Sequence, residues 1–268
     1  MTAVCIATYN NEPYIAQAIE SVLAQVCDEP LRIYIGDDAS TDGTAAICEQ
    51  YAEQDNRIVY IRRKQNLGLT DNTIDLYRRI MADGCEYIAM LDGDDYWIAS
   101  DKLQEQINYL RLHPETGFVH TAAYDETDGK RVDADEADKP VGDVRLRYNL
   151  YGVKHTNCTV LFRTELLRQI NLDELEQQHF TILDYPLYGL FSQLTQFGYI
   201  YRYTAVWRNH TSVSHPLRLA DYRRYKKERI RMWKWLDEHY PKHFHFSQIQ
   251  AILWLSGQLI AFFREKMQ

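Results

Sequence analysis

Three acidic side chains follow a short apolar segment in the first half of the chain. Asp92, Asp94 and Asp95 come directly after residues 87–91, a run that predicts a buried β-strand. Carboxylates this close together repel one another unless a cation or hydrogen-bond donors neutralise them. Oxygen ligands of this kind suit Mg²⁺ or Mn²⁺, which also bind substrate phosphates. The cluster therefore predicts a divalent metal site, and the simpler alternative is an acidic turn that caps the next helix.

Two earlier apolar segments are also followed by polar side chains. Asp38 comes after the second segment, where a carboxylate can accept hydrogen bonds from a nucleobase or a ribose. The first segment is followed by residues that can line a nucleobase pocket: Thr8, Tyr9, Asn10 and Glu12. The sequence contains neither GxxxxGK[ST] nor GxGxxG, which argues against a P-loop enzyme and against a dinucleotide dehydrogenase.

Apolar segments alternate with helical patterns along the first half of the chain. The predicted strands are residues 3–7, 31–35, 58–61, 87–91 and 118–122. This alternation predicts an α/β fold with a mainly parallel sheet flanked by helices. Ligands of such sheets bind beyond the carboxyl ends of the strands, where the polar residues described above fall. From residue 221 the pattern becomes helical and basic, which predicts a C-terminal helical tail.

The composition is that of a soluble globular protein. The 268 residues carry a formal net charge of −8, which gives no general attraction for nucleic acid. Residues 216–268 are the exception, with 11 Lys and Arg against 5 Asp and Glu. The five cysteines include no CxxC pair, so we expect reduced thiols and a cytoplasmic protein. We expect neither a signal peptide nor a membrane-spanning helix, because the apolar segment of residues 248–263 contains polar side chains and is shorter than the roughly 20 residues required.

Four motifs in the first hundred residues occur together in order and spacing. They are CIATYN at 5–10, IGDDASTDGT at 35–44, NLG at 66–68 and LDGDDYW at 91–97. With these motifs the chain resembles family 2 glycosyltransferases. The resemblance implies a GT-A catalytic domain over residues 1–215 and a basic, aromatic helical tail over residues 216–268. It also implies an inverting transfer of a sugar from a nucleotide-diphosphate sugar, with a UDP-sugar as the expected donor. The product would be a surface polysaccharide or a glycoconjugate.

The resemblance also assigns roles on the donor side, with Mn²⁺ or Mg²⁺ as the cofactor. Asp38 matches a position that holds the base, Asp94 matches an acid that contacts the ribose, and Asp95 matches the metal-binding acid of the family's DxD element. The residues expected to bind the nucleotide are Thr8, Tyr9, Asn10, Glu12, Asp38, Asn72, Asp92 and Asp94. The residues expected to hold the metal are Asp94, Asp95 and His210. Asp71 stands where many members carry a basic residue, so we expect other residues to compensate the charge of the diphosphate.

Later segments resemble the acceptor side of the family. Asp184, in the segment ILDYP, matches the catalytic base, and its partly apolar neighbours favour a raised pKa. The alternative is that Asp184 caps the helix that begins near Pro186. Asp173 and Glu174 are the nearest rivals for the role of base. The residues expected on the acceptor or phosphate side are Asn157, Arg208 and His210.

Two other functions stay open from the sequence. A nucleotidylyltransferase would share the fold and the metal, but such an enzyme is expected to carry a glycine-rich, basic loop after the first strand, where this chain has TYNN. A catalytically inactive module that binds a nucleotide or a carbohydrate would tolerate the loss of the acids, all of which are present.

The tail also admits two interpretations. A basic helix with an aromatic stripe can lie on an anionic membrane surface, which would make the protein peripheral on the inner face of the cell membrane, with a lipid-linked acceptor. Alternatively, the C-terminal helices pack on the catalytic domain or on the second subunit of a homodimer.

Overall fold

A mixed β-sheet with helices on both faces forms the centre of the molecule. The computed structural model describes residues 1–127, 129–133 and 156–209, together with residues 227, 228, 230–232, 234–236 and 238 of the tail. Within these residues the sheet has nine strands in the order β3-β2-β1-β4-β8-β6-β9-β5, and β7 pairs with β6. The predicted α/β fold is confirmed.

The elements follow one another along the chain with short connections. Their bounds are β1 Thr2–Thr8, α1 Ile15–Leu23, β2 Leu31–Asp37, α2 Thr44–Gln54, β3 Ile58–Arg62, α3 Leu69–Ala82, β4 Tyr87–Asp92, β5 Tyr96–Trp97, α4 Lys102–Leu112, β6 Thr116–Thr127, β7 Lys130–Asp133, a 3₁₀ turn Asn157–Thr159, β8 Leu161–Arg163, α5 Glu165–Arg168, α6 Leu172–Gln177, α7 Asp184–Leu194 and β9 Gln196–Arg208. The described helical residues between 227 and 238 are called the tail helix below.

The first four strands form the parallel part of the sheet. β1 pairs with both β2 and β4, and β2 pairs with β3, all in parallel, as the alternation of strands and helices predicts. β8 then enters antiparallel to β4 and to β6, whereas β9 runs parallel to β6. The parallel arrangement therefore covers β1–β4, and the rest of the sheet is mixed.

Side chains of the central strands alternate between two hydrophobic clusters. Ala3 and Cys5 of β1 point to the face covered by α3, α6 and α7, whereas Val4 and Ile6 point to the face covered by α1 and α4. This period of two is the pattern expected of a strand that is buried on both faces. All five cysteines lie within the described residues and are free thiols, and Cys27 alone among them is not fully buried.

The tail helix packs against the catalytic domain. Met232, Trp235 and Leu236 are buried in the same cluster as Phe180 and the residues of α7. Packing on the domain, one of the two interpretations of the tail, is thus what the described part of the tail does. No helix among the described residues is long and apolar enough to cross a membrane. Membrane contact, a homodimer through the C-terminal helices and the boundary at residue 216 stay predictions.

A buried lysine stands out in this core. Lys102, at the start of α4, is fully buried, and its ammonium group donates to Oε1 of Gln106 at 2.6 Å. The same group lies 4.4 Å from the centre of the Trp97 ring. Burial lowers the pKa of Lys102 to about 7, because desolvation disfavours the charged form.

Lys102→Met is expected to weaken the pH dependence of folding stability. In the unfolded chain this lysine keeps its proton up to about pH 10.5, whereas the folded protein releases it near pH 7. Folding stability therefore rises with pH between these values, by roughly 1 kcal/mol per pH unit or less. Urea denaturation at pH 7 and pH 9 should show a larger gain in the free energy of unfolding for the wild type than for Lys102→Met.

Lys234→Met, which replaces an exposed lysine, is the matched control and should behave like the wild type. Equal gains for all three proteins would show that Lys102 keeps its proton in the folded state.

Candidate active site

The carboxyl ends of β1, β2 and β4 meet at one edge of the sheet. Thr8 stands next to Asp37 in the register of β1 and β2, and Ala7 stands next to Asp92 in the register of β1 and β4. A Cβ at Gly93 would lie 2.5 Å from Oγ1 of Thr8, so only glycine allows this close approach. The predicted meeting of the polar segments after β1, β2 and β4 is thus what the structure shows.

The loops after β1 and β2 are bound to each other by two predicted nucleotide-binding residues. Oδ1 of Asn10 accepts from the amide of Thr41 at 2.8 Å, and Oε2 of Glu12 accepts from the amide of Gly43 at 2.8 Å. Asn10 has a φ of 53°, a conformation that asparagine tolerates better than most residues. Tyr9, beside it, is 46% exposed. Asn10 and Glu12 therefore hold the loop that presents the Tyr9 ring to solvent.

Asp38 holds the turn before α3. Its two carboxylate oxygens accept from the amides of Leu67 at 2.7 Å and Gly68 at 2.8 Å, and the residue is 3% exposed. Asn66 donates to the carbonyl of Asp38 at 3.2 Å. A carboxylate oxygen can accept more than one hydrogen bond, so these contacts are compatible with a further bond to a base.

Asn72 lies behind this edge rather than on its surface. It is 1% exposed, its amide nitrogen donates to the carbonyl of Gly36 at 2.8 Å, and its Oδ1 accepts from Nε of Arg63 at 2.9 Å. Arg63 also pairs with Asp75 at 2.6 Å. The structure therefore gives Asn72 a supporting position behind β2, and its predicted contact with a nucleotide gains no support from this position.

Asp92 is bound to the acceptor-side segment. Nδ2 of Asn157 donates to both oxygens of Asp92, at 2.9 and 3.1 Å. Burial, followed by repulsion from the Asp94 carboxylate, raises the pKa of Asp92 to about 7, and Asp184 acts in the same direction.

Asp95 is the most deeply buried of the three acids, at 1% exposure. Oδ1 accepts from the backbone amide of Arg208 at 2.8 Å, whereas Oδ2 has no nitrogen or oxygen donor among the described residues. Burial and the charges of Asp94 and Asp92 raise the pKa of Asp95 well above its usual range. A buried carboxylate oxygen of this kind is stabilised by a proton or by a cation.

The donor set fits a cation that substrate phosphates complete. Within the described part of the chain, no three His, Cys, Asp or Glu side chains converge at metal-ligand spacing. Mg²⁺ commonly needs only one or two protein carboxylates when phosphates supply further oxygens. Asp94 and Asp95 meet that requirement. His210, the third predicted ligand, lies outside the described residues.

Arg208 ties β9 to the acidic loop. Its guanidinium donates to the carbonyl of Asp94 at 2.7 Å and lies 3.6 Å from the Glu126 carboxylate. The group stands between the rings of Tyr96 and Tyr14, at 4.4 and 5.0 Å from their centres. Arg208 thus reaches the predicted edge, where it holds the loop and carries positive charge next to the three acids.

The acceptor-side residues are joined by a chain of hydrogen bonds. The hydroxyl of Tyr188 donates to Oδ1 of Asn157 at 2.6 Å, and Asn157 donates in turn to Asp92. Tyr188 lies on α7, one helical turn after Asp184, which is the first residue of that helix. Tyr188 belongs to none of the sequence motifs, although its i+4 spacing from Asp184 places both residues on one helix face.

Asp184 occupies the first turn of α7 without serving as its N-cap. Leu183 is the N-cap residue, and Oδ1 of Asp184 accepts from the amide of Tyr185 at 2.7 Å. Its rival Asp173 pairs with Arg78 instead, and Glu174 lies in the first turn of α6, where the side chain of Asn171 accepts from its amide. Of the three candidates, Asp184 alone belongs to the helix that carries Tyr188, which is joined to Asp92 through Asn157.

Comparisons with known proteins agree with this geometry. The family model for Glycosyl transferase family 2 matches residues 3–169. The dTDP-rhamnosyl transferase RfbG of Shigella flexneri is 25% identical over 245 residues, which are 88% of this chain and 82% of RfbG. Among other curated relatives the match is shorter, and the chain covers between 31% and 42% of their length.

Two solved structures share the fold. TarS of Staphylococcus aureus, residues 1–349 in complex with UDP-GlcNAc, has a TM-score of 0.63 at 17% identity, over 96% of this chain and 71% of that one. The mannosyltransferase PcManGT of Pyrobaculum calidifontis, in complex with GDP-Man and Mn²⁺, has a TM-score of 0.62 at 18% identity, over 97% of this chain and 74% of that one. By its sequence motifs, its GT-A fold and the family match over most of its catalytic domain, the chain belongs to glycosyltransferase family 2.

Proposed function

We propose that the protein transfers a sugar from a nucleotide-diphosphate sugar to a hydroxyl group of an acceptor, with inversion at the anomeric carbon. The hydrogen-bond chain from Asp92 through Asn157 to Tyr188 supports this most directly. It joins the acidic end of β4, which suits the donor diphosphate, to the helix that begins with Asp184. A donor side and a candidate base thereby stand at the same edge of the sheet.

The nucleotide belongs, in this proposal, at the ends of β1 and β2. The exposed ring of Tyr9 offers a surface for a base, with Thr8 and Asp38 as neighbouring polar groups. UDP is the nucleotide that the family resemblance favours. RfbG is named for a dTDP-sugar and PcManGT was solved with GDP-Man, so tests should include donors with all three bases.

Mn²⁺ or Mg²⁺ is the proposed cofactor, held by Asp95 and Asp94, and by His210 if that residue reaches the site. The buried Oδ2 of Asp95, without a nitrogen or oxygen donor among the described residues, supports this assignment. When bound, the ion would stabilise the negative charge on the departing diphosphate. PcManGT, with the same fold, was solved with Mn²⁺.

Asp184 is the proposed general base. It takes the proton of the acceptor hydroxyl while the hydroxyl oxygen forms a bond to the anomeric carbon. The bond from that carbon to the diphosphate oxygen breaks on the opposite face, and its electron pair leaves with the nucleoside diphosphate. Asn157 and Arg208 keep the acidic loop in place during this exchange, through Asp92 and through the carbonyl of Asp94.

The acceptor we propose is a saccharide or a lipid-linked saccharide, in the synthesis of a surface polysaccharide or glycoconjugate. A lipid-linked acceptor would require the protein, in the cytoplasm, to contact the inner face of the membrane, and the basic tail would make this contact. Met232 and Leu236 of the tail already pack on the domain, so such contact would fall to other tail residues.

A nucleotidylyltransferase is the alternative enzyme. The loop after β1 argues against it, because Asn10 and Glu12 bind this loop to the β2 loop and no glycine-rich basic segment is available there. An inactive binding module would release no nucleoside diphosphate.

The direct test is incubation of the purified protein with UDP-, GDP- and dTDP-sugars, Mn²⁺ and a set of saccharide acceptors. Release of the nucleoside diphosphate with formation of a new glycoside is expected for at least one donor. Release of pyrophosphate in a parallel incubation with nucleoside triphosphates and sugar 1-phosphates would favour a nucleotidylyltransferase, and binding without release in either incubation would favour the inactive module.

Asp95→Asn is expected to lower the release rate by about 10²-fold or more, because it removes charge that holds the cation next to the diphosphate. The variant keeps an oxygen acceptor for the Arg208 amide, so its melting temperature without ligand should stay near that of the wild type. Thermal shift by UDP with Mn²⁺ should shrink as well. Asp28→Ala, an exposed change at the opposite end of β2, is the control. Full activity of Asp95→Asn in the presence of chelator would remove the metal from the proposal.

Asp184→Asn is expected to bind nucleoside diphosphate and metal normally while transfer falls by about 10²-fold or more. The amide keeps the shape of the side chain and its acceptor oxygen but takes up no proton. Turnover is measured with the donor and acceptor that give the highest rate. The control is Asp173→Asn, which should retain transfer because Asp173 pairs with Arg78. Unchanged turnover of Asp184→Asn, with chemistry rate-limiting, would assign the base to another carboxylate.

A further inference from the structure

The loop that precedes Asp184 is held by the tail helix. The Arg231 guanidinium donates to the carbonyls of Gln178, at 2.6 Å, and His179, at 3.4 Å. The same group lies 4.4 Å from the centre of the Phe180 ring. The Glu228 carboxylate accepts from the amide of Thr181. Two charged side chains of the tail thus bind four consecutive residues of this loop, residues 178–181.

The opposite side of the loop is held by the start of α3. Oγ1 of Thr70 donates to the carbonyl of Phe180, and the Asp71 carboxylate lies 3.5 Å from Nδ1 of His179. Residues 178–181 are therefore fixed between two helices that are distant in sequence. Removal of one partner would leave the loop attached on one side only.

The backbone of this loop needs such support. His179 has a φ of 47°, in the left-handed region that non-glycine residues rarely adopt. A conformation of this kind is strained and persists only where the surrounding contacts over-determine it. The bonds from Arg231 and Thr70 to the carbonyls of His179 and Phe180 are contacts of that type.

The tail helix is itself anchored firmly enough to act as a support. Met232 and Leu236 are almost completely buried, and the Trp235 ring packs edge-on against Phe180 at 5.9 Å between centroids. Burial of these apolar side chains stabilises the contact between the tail helix and the rest of the core. The helix thus presents Arg231 and Glu228 from a fixed position.

We propose that Arg231 and Glu228 are positioning residues, through which the tail helix sets the place of Asp184 at the acceptor side. The inference rests on the proposed role of Asp184 as base. Only Ile182 and Leu183 separate the held residues from Asp184, so a shift of the loop displaces the first turn of α7. A displacement of about 1 Å at a reacting group can lower the rate up to about 10²-fold.

The first experiment measures the loop directly in the full chain, by hydrogen–deuterium exchange of Arg231→Ala. Peptides that cover residues 178–186 should exchange faster than in the wild type, whereas peptides of β1 and β2 should be unchanged. Lys234→Ala, an exposed change on the same helix, is the control and should match the wild type. Unchanged exchange at residues 178–186 would overturn the proposal, whatever the activity.

The second experiment separates positioning from general stability by kinetics. Arg231→Ala should lower kcat by about 10-fold or more while KM for the donor stays within about 2-fold, because donor-side groups are untouched. Glu228→Gln keeps an acceptor for the Thr181 amide and should stay close to the wild type, whereas Glu228→Ala should resemble Arg231→Ala. If Arg231→Ala does not fold, the two Glu228 variants decide. A parallel loss of donor affinity, or an unchanged kcat, would contradict the proposal.

A double-mutant cycle shows whether Arg231 acts through Asp184. In the Asp184→Asn background, Arg231→Ala should cause little further loss of kcat, because the group that it positions no longer takes up a proton. Multiplicative losses would show that Arg231 acts elsewhere. If Asp184→Asn alone leaves turnover unchanged, the base assignment fails, and the exchange experiment still decides whether the tail holds the loop.

Discussion

Three carboxylates are crowded together at the end of β4, and the rest of the site is arranged to compensate their negative charge. Asp95 is buried and Asp92 half-buried, and repulsion with Asp94 raises the pKa of both. Amide groups from distant segments donate hydrogen bonds to two of these carboxylates. Asn157 donates to Asp92, and the backbone amide of Arg208 donates to Asp95. The incomplete compensation at Asp95 is what makes a bound cation chemically reasonable at this point.

The supports of the acidic loop also hold the proposed acceptor side. Asn157 stands between Asp92 and Tyr188, so the 3₁₀ turn before β8 couples the end of β4 to α7. The turn before α3 has a comparable position. Its amides bind Asp38 on the donor side, and Thr70 binds the loop that leads to Asp184. The proposed donor and acceptor sides therefore share structural elements instead of being separate attachments to the sheet.

The sequence predicts the parallel strands and the meeting of their polar ends well, because both follow from local pattern. Asp38, Asp92 and Asp95 lie where the motifs put them. Local pattern does not reveal how a polar side chain is used: Asn10 and Glu12 bind a neighbouring loop, and Asn72 is buried behind β2.

The sequence also does not predict which segments far apart in the chain contact each other. Asn157 is 65 residues from Asp92, and Arg208 is 113 residues from Asp95. The antiparallel entry of β8 and the contacts of the tail with residues 178–181 depend on packing that no short motif encodes. His210 lies outside the described residues, so its role stays a prediction.

The burial of the cysteines allows one thiol to be labelled selectively. All five cysteines are described, and four of them are buried, including Cys5 in β1 and Cys158 beside Asp95. Cys27 is partly exposed and precedes β2, at the amino end of the sheet. Burial raises its pKa, so its thiolate forms readily only in alkaline solution. A maleimide dye attached there would label the far end of the strands without touching the residues of the candidate active site.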